Sequence, residues 1–261
     1  MTGPRRIVCI TEETTETLYL LGEQDRIVGV SGYTCRPPEA RRKPKVSAFT
    51  TAKIERILAV EPDLIIGFSN LQGDIARDLI RAGKNVLITN QRSVEEILET
   101  IVLVGRMVDA SAKAAALVEE LRRGLASIAS AAAAFSRRSR VFFEEWNDPL
   151  ISGIRWVEEL VEIAGGAPVF PELRLEHDAV KRIVTPERVL AADPEVIIAS
   201  WCGRRVNKAA IAARPGWDLI AAVRHGQIHE IKSANILQPG PAALTDGVRQ
   251  LHSILAAASL V

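Results

Sequence analysis

Short apolar runs alternate along the chain with longer segments in which apolar residues recur every three or four positions. In the first half the runs lie at 7–10, 27–31, 64–66 and 86–89. Continuous apolar runs of this length are typical of strands buried on both faces of a parallel sheet, and the longer segments are typical of amphipathic helices. The pattern therefore predicts an α/β fold.

The same alternation restarts in the second half of the chain. Apolar runs at 141–143, 196–198 and 227–231 predict strands, and the segments 155–164 and 241–255 predict helices. Thr185 followed by Pro186 has the composition of a helix N-cap and first helical residue. A second set of parallel strands is therefore expected.

Between the two halves, residues 109–136 predict one long helix. The segment is rich in alanine, lacks proline and carries apolar residues on one face, and Asp109 could cap its beginning. We therefore predict two Rossmann-like lobes, residues 1–108 and 137–261, joined by a connecting spine helix. The terminal helix could pack back toward the N-terminal lobe.

An internal repeat supports the division into two lobes. Residues 55–66 read ERILAVEPDLII and residues 187–198 read ERVLAADPEVII, at an offset of 132. The same offset places the acidic pair Glu12–Glu13 on the acidic pair Glu144–Glu145. Each copy predicts a helix, a proline-containing turn and a buried strand.

Composition excludes several classes of partner. The chain has 261 residues and a formal net charge of +1, so no basic surface favours nucleic acid or an anionic membrane. No apolar run approaches the roughly 20 residues of a membrane-spanning helix, so direct membrane insertion is not expected. Three widely spaced cysteines suggest reduced thiols rather than a disulfide framework.

The first residues of the printed sequence lead directly into a short apolar run, which is shorter than the apolar region of a signal peptide. On that basis we predict a cytoplasmic location. The alternative is a periplasmic or cell-envelope location with a signal segment removed.

Ligands of open parallel sheets bind beyond the carboxyl ends of the strands. If the spine set the two lobes face to face, the side chains that follow the predicted strands would line one cleft. The predicted ligand-binding residues are Glu12, Glu13, Tyr33, Phe68, Glu144, Glu145, Trp146, Arg155, Trp156, Trp201, Arg204 and Lys232.

Two groups in this set have an alternative structural explanation. The tryptophans could stack on a planar ligand or could pack in the core. The glutamates could pair with Arg155, Arg204 or Lys232, could cap helices, or could hold a metal or cationic ligand. Catalysis by a carboxylate pair is a further alternative that their spacing does not demand.

No familiar catalytic or metal-binding motif is present. The chain lacks a Walker loop, a GxGxxG motif, a GxSxG motif and a CxxC motif, so no catalytic residue is assigned. His177 is the one histidine in a predicted strand-end loop, and it is the only candidate metal ligand. No covalent cofactor is expected.

Several stretches resemble the helical-backbone (class III) substrate-binding proteins of ABC importers, which include vitamin B12-, haem- and ferric-siderophore-binding members. They are Thr11 to Gly22, Ser31-Gly32-Tyr33 with Pro37-Pro38, Lys45-Val46-Ser47 through Phe68, Arg140 through Gly153, and the helix after Pro241. The resemblance covers nearly the whole chain.

The resemblance implies a monomeric binding protein that captures a large planar chelate between lobes that move little. The chelate would be cobalamin or another corrinoid, haem, or an iron-siderophore, and Tyr33, Phe68 and Trp201 would contact it. Family members also present one acid per lobe to an importer's permease, and Asp74 and Asp218 are the residues matched here. The bound chelate and the permease are the expected partners.

Two other functions remain open at this point. The chain could be a cytosolic chelatase-like enzyme or a metal or tetrapyrrole handler that uses Glu12, Glu13, Glu144, Glu145 and His177. It could also be a cytosolic sensor without an importer.

Overall fold

A computed structural model describes residues 3–259, and two compact units divide them. The first unit contains the residues up to Gln91 together with Glu95–Glu120. The second contains Arg92–Val94 and the described residues from Leu121 onward. Each unit contains one sheet, as predicted for a two-lobed α/β fold.

The first unit is built on a five-stranded parallel sheet in the order β3-β2-β1-β4-β5. Its strands are β1 (Ile7–Cys9), β2 (Ile27–Ser31), β3 (Lys45–Ser47), β4 (Leu64–Phe68) and β5 (Val86–Thr89). Its helices are α1 (Glu12–Leu20), α2 (Ile54–Leu58), α3 (Gly73–Arg81) and, apart from its first residue, α4 (Val94–Met107). The strand order reverses between β1 and β4, which is where ligands bind in folds of this kind.

Apolar composition explains the position of the central strand. Ile7, Val8, Cys9 and Ile10 are all fully buried, and Val8 and Ile10 pack with Ile65 in one core cluster. A strand with both faces covered has no polar positions, as its sequence shows.

The long central helix is shorter than predicted. The chain forms α5 (Ser111–Ala132), so the predicted end at 136 is wrong. Asp109 does not cap it, because Asp109 lies in the left-handed region with φ 60° and the carbonyl of Ala110 accepts the N–H of Ala114. The Asp109 carboxylate instead accepts the backbone N–H of Gly3 at 2.7 Å.

The second unit has a mixed sheet in the order β10-β9-β6-β7, with β8 also paired to β6. Its strands are β6 (Ser139–Asn147), β7 (Leu150–Ser152), β8 (Gly166–Pro168), β9 (Val196–Ala199) and β10 (Ile228–Glu230). Its helices are α6 (Arg155–Ile163), α7 (Pro186–Ala192), α8 (Lys208–Ala212), α9 (Ala221–Arg224), α10 (Ser233–Ile236) and α11 (Val248–Ala258). Only β7 runs antiparallel, and it forms a hairpin with β6.

The hairpin is a feature that the sequence pattern missed. The prediction ended a strand at residue 143, whereas β6 continues to Asn147 and carries Glu144 and Glu145 within it. The apolar run stops at Phe143, so hydrophobic periodicity gives no sign of the polar continuation.

The core of the second unit contains a group of aromatic side chains among its aliphatic residues. Phe142 lies edge-on to Phe170, with ring centroids 5.8 Å apart, and edge-on to Trp217 at 6.4 Å. Edge-to-face contacts of this kind add to the stabilisation from buried area. Helix α11 packs against α6, and Leu255 of α11 lies close to Gly166 in β8.

The internal repeat corresponds to matching helix–strand units. The first copy spans α2 and β4, and the second spans α7 and β9. Strand β4 pairs with β1 and β9 pairs with β6, so the repeated unit occupies the same place beside the first strand of each sheet. Thr185 caps α7 by accepting the N–H of Arg188, as predicted.

Candidate functional site

The carboxyl ends of the strands in the first unit present one exposed aromatic side chain. Tyr33, just after β2, is 57% exposed. Phe68, the last residue of β4, is only 6% exposed. Tyr33 is therefore available to a ligand in this structure, whereas Phe68 offers little surface.

Gln72 fixes the strand ends on which Phe68 lies. Its side-chain oxygen accepts the backbone N–H of Phe68 at 2.9 Å, and its amide nitrogen donates to the carbonyls of Ile10 at 3.0 Å and Phe49 at 2.8 Å. A side chain at Gly67 would collide with the Gln72 oxygen, because a Cβ there would lie 2.4 Å away. No sequence pattern pointed to Gln72, because a single glutamine at the end of a short 3-10 helix carries no periodicity.

Glu12 and Glu13 lie in the first turn of α1, not in a loop after β1 as predicted. They are 8% and 3% exposed, and neither carboxyl oxygen of Glu13 has a hydrogen-bond partner. The helix N-terminus attracts acids, but burial penalises their charged form.

Burial dominates the titration of both acids. It raises the pKa of Glu13 to about 8, and the nearby carboxylates of Glu12 and Glu16 add to the rise. The Thr11 hydroxyl opposes this rise, although it lacks the geometry of a hydrogen bond to Glu13. Burial raises the pKa of Glu12 to about 7, and Ser31 and Lys45 oppose that rise.

In the second unit, Glu144 is fully buried and forms a bidentate ion pair. Its oxygens accept from the guanidinium of Arg214 at 2.6 and 2.9 Å, and one also accepts the indole N–H of Trp201 at 3.1 Å. The guanidinium lies over the ring of Trp217, 4.5 Å from its centroid. The Glu144 carboxylate and the Trp201 indole N–H therefore both have hydrogen-bond partners inside the protein.

Glu145 pairs with Arg182, which is a fully buried arginine. Arg182 is 1% exposed and donates to Glu145 at 2.6 and 3.2 Å, and also to the carbonyl of Ser152. Arg182 and Arg214 were not among the arginines predicted to pair with these acids. Each lies far along the chain from its partner, so no local pattern could identify it.

The three strand-end tryptophans divide into two kinds. Trp156 and Trp201 are 3% and 5% exposed, and Trp156 donates its indole N–H to the carbonyl of Ile236 at 3.0 Å. Their geometry favours core packing. Trp146 is half-buried, donates to the carbonyl of Asp148 at 2.9 Å, and has the guanidinium of Arg204 over its ring at 5.5 Å.

Of the remaining predicted residues, Arg155 has a charged partner, whereas the others are exposed. Arg155 pairs with Glu159 at 2.8 Å, and Glu159 also accepts the backbone N–H of Val94. Arg204 and Lys232 are exposed at the ends of β9 and β10. His177 is exposed in the loop between β8 and α7.

The two acids matched to importer docking are both exposed. Asp74 lies in the first turn of α3 and pairs with Arg77 at 2.8 Å. The internal repeat places the counterpart of α3 at α8, whose N-cap is Asn207. Asp218 lies beyond α8, in a short 3-10 helix, so its assignment as a docking acid rests on the family resemblance and not on the internal repeat.

The described residues contain no group of three or more His, Cys, Asp or Glu side chains arranged to hold a metal ion. All three cysteines are free thiols. Burial raises the pKa of Cys9 to about 12, which suits a packing role and not a nucleophile. Within residues 3–259, every helix falls short of the length and apolar character needed to traverse a bilayer.

Comparison with known proteins gives one family. The family described as periplasmic binding protein matches residues 7–234. The chain is 26% identical over 261 residues to an uncharacterised ABC transporter substrate-binding lipoprotein of Bacillus subtilis, covering 95% of this chain and 79% of that one.

Solved structures agree in fold. The crystal structure of the periplasmic vitamin B12-binding protein of Vibrio cholerae superposes with a TM-score of 0.77 at 26% identity, covering 99% of each chain. A periplasmic heme-binding protein from Pseudomonas aeruginosa superposes with a TM-score of 0.82 at 22% identity, covering 97% of this chain and 92% of that one. The latter likeness shows the fold alone.

The cytoplasmic location predicted from the sequence is wrong. The matching family is described as periplasmic, and the B. subtilis relative is a lipoprotein, which together point to an extracytoplasmic location. The prediction relied on the first residues of the printed sequence, and those residues do not decide the compartment.

Proposed function

This chain belongs to the periplasmic binding protein family, and from that premise we propose that it captures a metal-bearing chelate and delivers it to the permease of an ABC importer. Family members are binding proteins, so the predicted binding function holds over the chelatase-like alternative. The acids on which that alternative relied are ion-paired in the case of Glu144 and Glu145, and buried in the case of Glu12 and Glu13.

The ligand class that we propose is a large flat chelate, namely cobalamin, haem or a ferric chelate. The vitamin B12-binding protein of Vibrio cholerae named above supports this class. The observation that carries the proposal is the pair of accessible aromatic side chains at strand carboxyl ends, Tyr33 in the first unit and Trp146 in the second. Large rigid aromatic side chains bind flat ligands with little loss of side-chain entropy.

Direct binding measurements test this proposal. Purified protein is titrated with cobalamin, haem and a ferric hydroxamate, and binding is followed by absorbance and calorimetry. We expect one chelate to bind with a dissociation constant below about 1 μM, equivalent to about −8 kcal/mol. Failure of all three to bind below about 100 μM would contradict the proposal.

Two variants connect binding to the proposed residues. Tyr33→Ala and Trp146→Ala should each weaken binding about tenfold or more, because each removes an aromatic contact. Ile80→Ala is the matched control, since Ile80 is a 60% exposed apolar residue of α3 and lies outside the strand-end loops. Equal effects of Ile80→Ala and Tyr33→Ala would argue against a specific role for Tyr33.

The permease contact is also a proposal. Asp74 is 88% exposed as a side chain, so it can exchange its Arg77 partner for an arginine of another protein at little cost. Asp74→Asn and Asp218→Asn should lower ligand uptake in cells without changing ligand affinity in solution. A change in ligand affinity would show that these acids act at the ligand site instead. We further propose that the chain works as a monomer, which sedimentation of the purified protein tests.

A further inference from the structure

The turn that follows β4 begins with a strained residue. Ser69 has φ 67° and ψ 167°, a backbone conformation that is almost confined to glycine. It is fully buried, and its backbone N–H donates to the carbonyl of Thr89 in β5 at 2.8 Å. A conformation of this kind persists only where the surrounding structure holds it, and it is found most often at binding and catalytic sites.

Hydrogen bonds hold this turn, residues Ser69–Gln72, here called the β4 turn, in one conformation. The hydroxyl of Ser69 accepts the backbone N–H of Leu71 at 3.3 Å, and its carbonyl accepts the backbone N–H of Gln72 at 3.1 Å. The buried side chain of Gln72 ties the turn to the ends of β4 and β1 through the bonds described above. The backbone of Leu71 is therefore fixed in place.

Leu71 is the large apolar residue that the β4 turn exposes. It is 59% exposed, whereas Phe68, at the end of β4, is almost fully buried. A single exposed leucine is common on protein surfaces, so exposure alone indicates nothing. The strained and hydrogen-bonded backbone beside it distinguishes Leu71 from the other exposed leucines of the chain.

Leu71 and Tyr33 lie on either side of the central strand. Tyr33 follows β2 and Leu71 follows β4, and these two strands flank β1 at a separation of about 10 Å, two strand spacings. Among the described residues, they are the only large apolar side chains exposed in the loops at the carboxyl ends of the first sheet. The strand order reverses between β1 and β4, so Leu71 lies where ligands of open sheets bind.

We propose that Leu71 is the apolar ligand contact at the end of β4, and that Ser69 is a positioning residue that holds it there. This inference rests on the proposed function, because it concerns the ligand of the same strand-end loops. It gives Leu71 the role that the sequence predicted for Phe68, whose side chain the fold buries. It also restricts the ligand class to chelates that present an apolar edge or face to the first unit.

Substitutions of Leu71 test the contact. Leu71→Ala should weaken chelate binding about fivefold or more, because less apolar area is then buried on binding. Leu71→Met has a similar volume and should keep the wild-type affinity within about twofold. Leu20→Ala is the matched control, because Leu20 is a 52% exposed leucine at the end of α1, away from the strand-end loops, and it should leave affinity unchanged.

A substitution of Ser69 tests the positioning role. Ser69→Gly keeps the observed backbone conformation accessible but removes the hydroxyl that accepts the N–H of Leu71. Affinity should fall about threefold or more, because the contact is less preorganised, without a lower urea midpoint. The double variant Ser69→Gly/Leu71→Ala should bind no more weakly than Leu71→Ala, since Ser69 acts through Leu71. Additive losses, or a lower urea midpoint in Ser69→Gly, would overturn the positioning role.

The remaining outcomes separate this inference from the proposed function. Wild-type chelate affinity in Leu71→Ala would overturn the inference while leaving chelate capture intact. Reduced uptake in cells at unchanged affinity would also overturn it, because Leu71 would then contact the permease beside Asp74.

If no chelate binds, the proposed function fails, and Nile red, a flat neutral dye, then tests the apolar contact alone by fluorescence. An enhancement that Leu71→Ala removes and Leu20→Ala retains would support the contact. No enhancement, or an equal enhancement in both variants, would overturn it.

Discussion

The two acidic pairs occupy the same register of the internal repeat, yet the protein accommodates them in opposite ways. In the second unit, Glu144 and Glu145 each form a bidentate ion pair with an arginine. In the first unit, Glu12 and Glu13 have no cation within 4 Å among the described residues, and burial raises their pKa values to about 7 and about 8. A buried carboxyl group can be kept neutral by a proton or balanced by a cation, and this chain uses both solutions.

Local structure explains the difference. β6 continues through Glu144 and Glu145 as one arm of a hairpin, and its pairing register with β7 shifts between Glu144 and Trp146. Each carboxylate has its own arginine, Arg214 between α8 and α9 and Arg182 at the end of a short 3-10 helix before α7. β1 instead ends at Cys9, and Glu12 and Glu13 follow in the first turn of a helix. The same residue pair at equivalent positions therefore does not fix the charge state.

The largest expected effect comes from breaking an ion pair of the second unit. Glu144→Gln removes the charge partner of Arg214 and weakens the acceptor for the indole N–H of Trp201. Loss of one partner leaves a mostly buried charge uncompensated, which costs about 3–5 kcal/mol. Urea unfolding monitored by tryptophan fluorescence measures this change in the free energy of unfolding.

A double-mutant cycle with Arg214→Gln provides the control for Glu144→Gln. If the ion pair carries the effect, the double variant should be less destabilised than the sum of the two single variants. Additive losses would show that the two side chains contribute through packing and not through their pairing.

The second effect has the opposite sign. Glu13→Gln should stabilise the protein at pH 8 by on the order of 4 kcal/mol, because the wild-type fold has to keep a buried carboxyl protonated. With a folded pKa of about 8 against an ordinary value of 4.5, the native state binds the proton more tightly than the unfolded state does. Wild-type stability therefore falls as pH rises from about 4.5 to about 8, and Glu13→Gln should flatten that decline.

Thermal unfolding between pH 4.5 and pH 9 tests whether Glu13 makes the stability of the protein fall as pH rises. Glu55→Gln, at an exposed glutamate of α2, is the matched control and should follow the wild-type profile. A wild-type profile that rises over this range, unchanged by Glu13→Gln, would mean that Glu13 is charged in the fold.

Hydrophobic patterning was enough to predict most of the strands and helices in both units. The buried strands β1 and β4 have apolar runs, and the repeated helix–strand unit has a proline turn that marks its boundary in both copies. Patterning failed where polar residues continue an element, as in the second half of β6, and at Asp109, where the left-handed backbone separates α4 from α5. Periodicity carries no information on either feature.

The candidate site was less predictable than the fold. Strand-end position correctly indicated which loops to examine, but it could not separate exposed Tyr33 and half-buried Trp146 from buried Trp201. That distinction depends on tertiary partners, such as the carboxylate of Glu144, which is 57 residues from the Trp201 indole N–H that it accepts.

Glu12→Gln should sharpen the contrast within the first acidic pair. Glu12 is slightly more exposed than Glu13, and Ser31 and Lys45 help to stabilise its charged form. We therefore expect the same sign as for Glu13→Gln but a smaller stabilisation, about 3 kcal/mol at pH 8. The stability that protonated Glu12 contributes should be lost by about pH 7, whereas the contribution of Glu13 should be lost by about pH 8. Titration of each carboxyl by NMR measures this order directly, and the reverse order would contradict it.

Asp74→Asn should have the smallest effect on stability, because Asp74 is an exposed acid, unlike the buried acids compared above. Its side chain is 88% exposed, and Arg77, its partner, is 52% exposed, so water screens both charges. Asp74→Asn should change the free energy of unfolding by less than about 0.5 kcal/mol, because exposed ion pairs contribute little. The urea unfolding experiment used for Glu144→Gln also measures the change in Asp74→Asn. The difference between the two losses of unfolding free energy shows how much more it costs to break a buried ion pair than an exposed one. A loss of more than about 1 kcal/mol in Asp74→Asn would show that this acid supports the fold at the start of α3, and its proposed role in permease contact would then need a reporter other than stability.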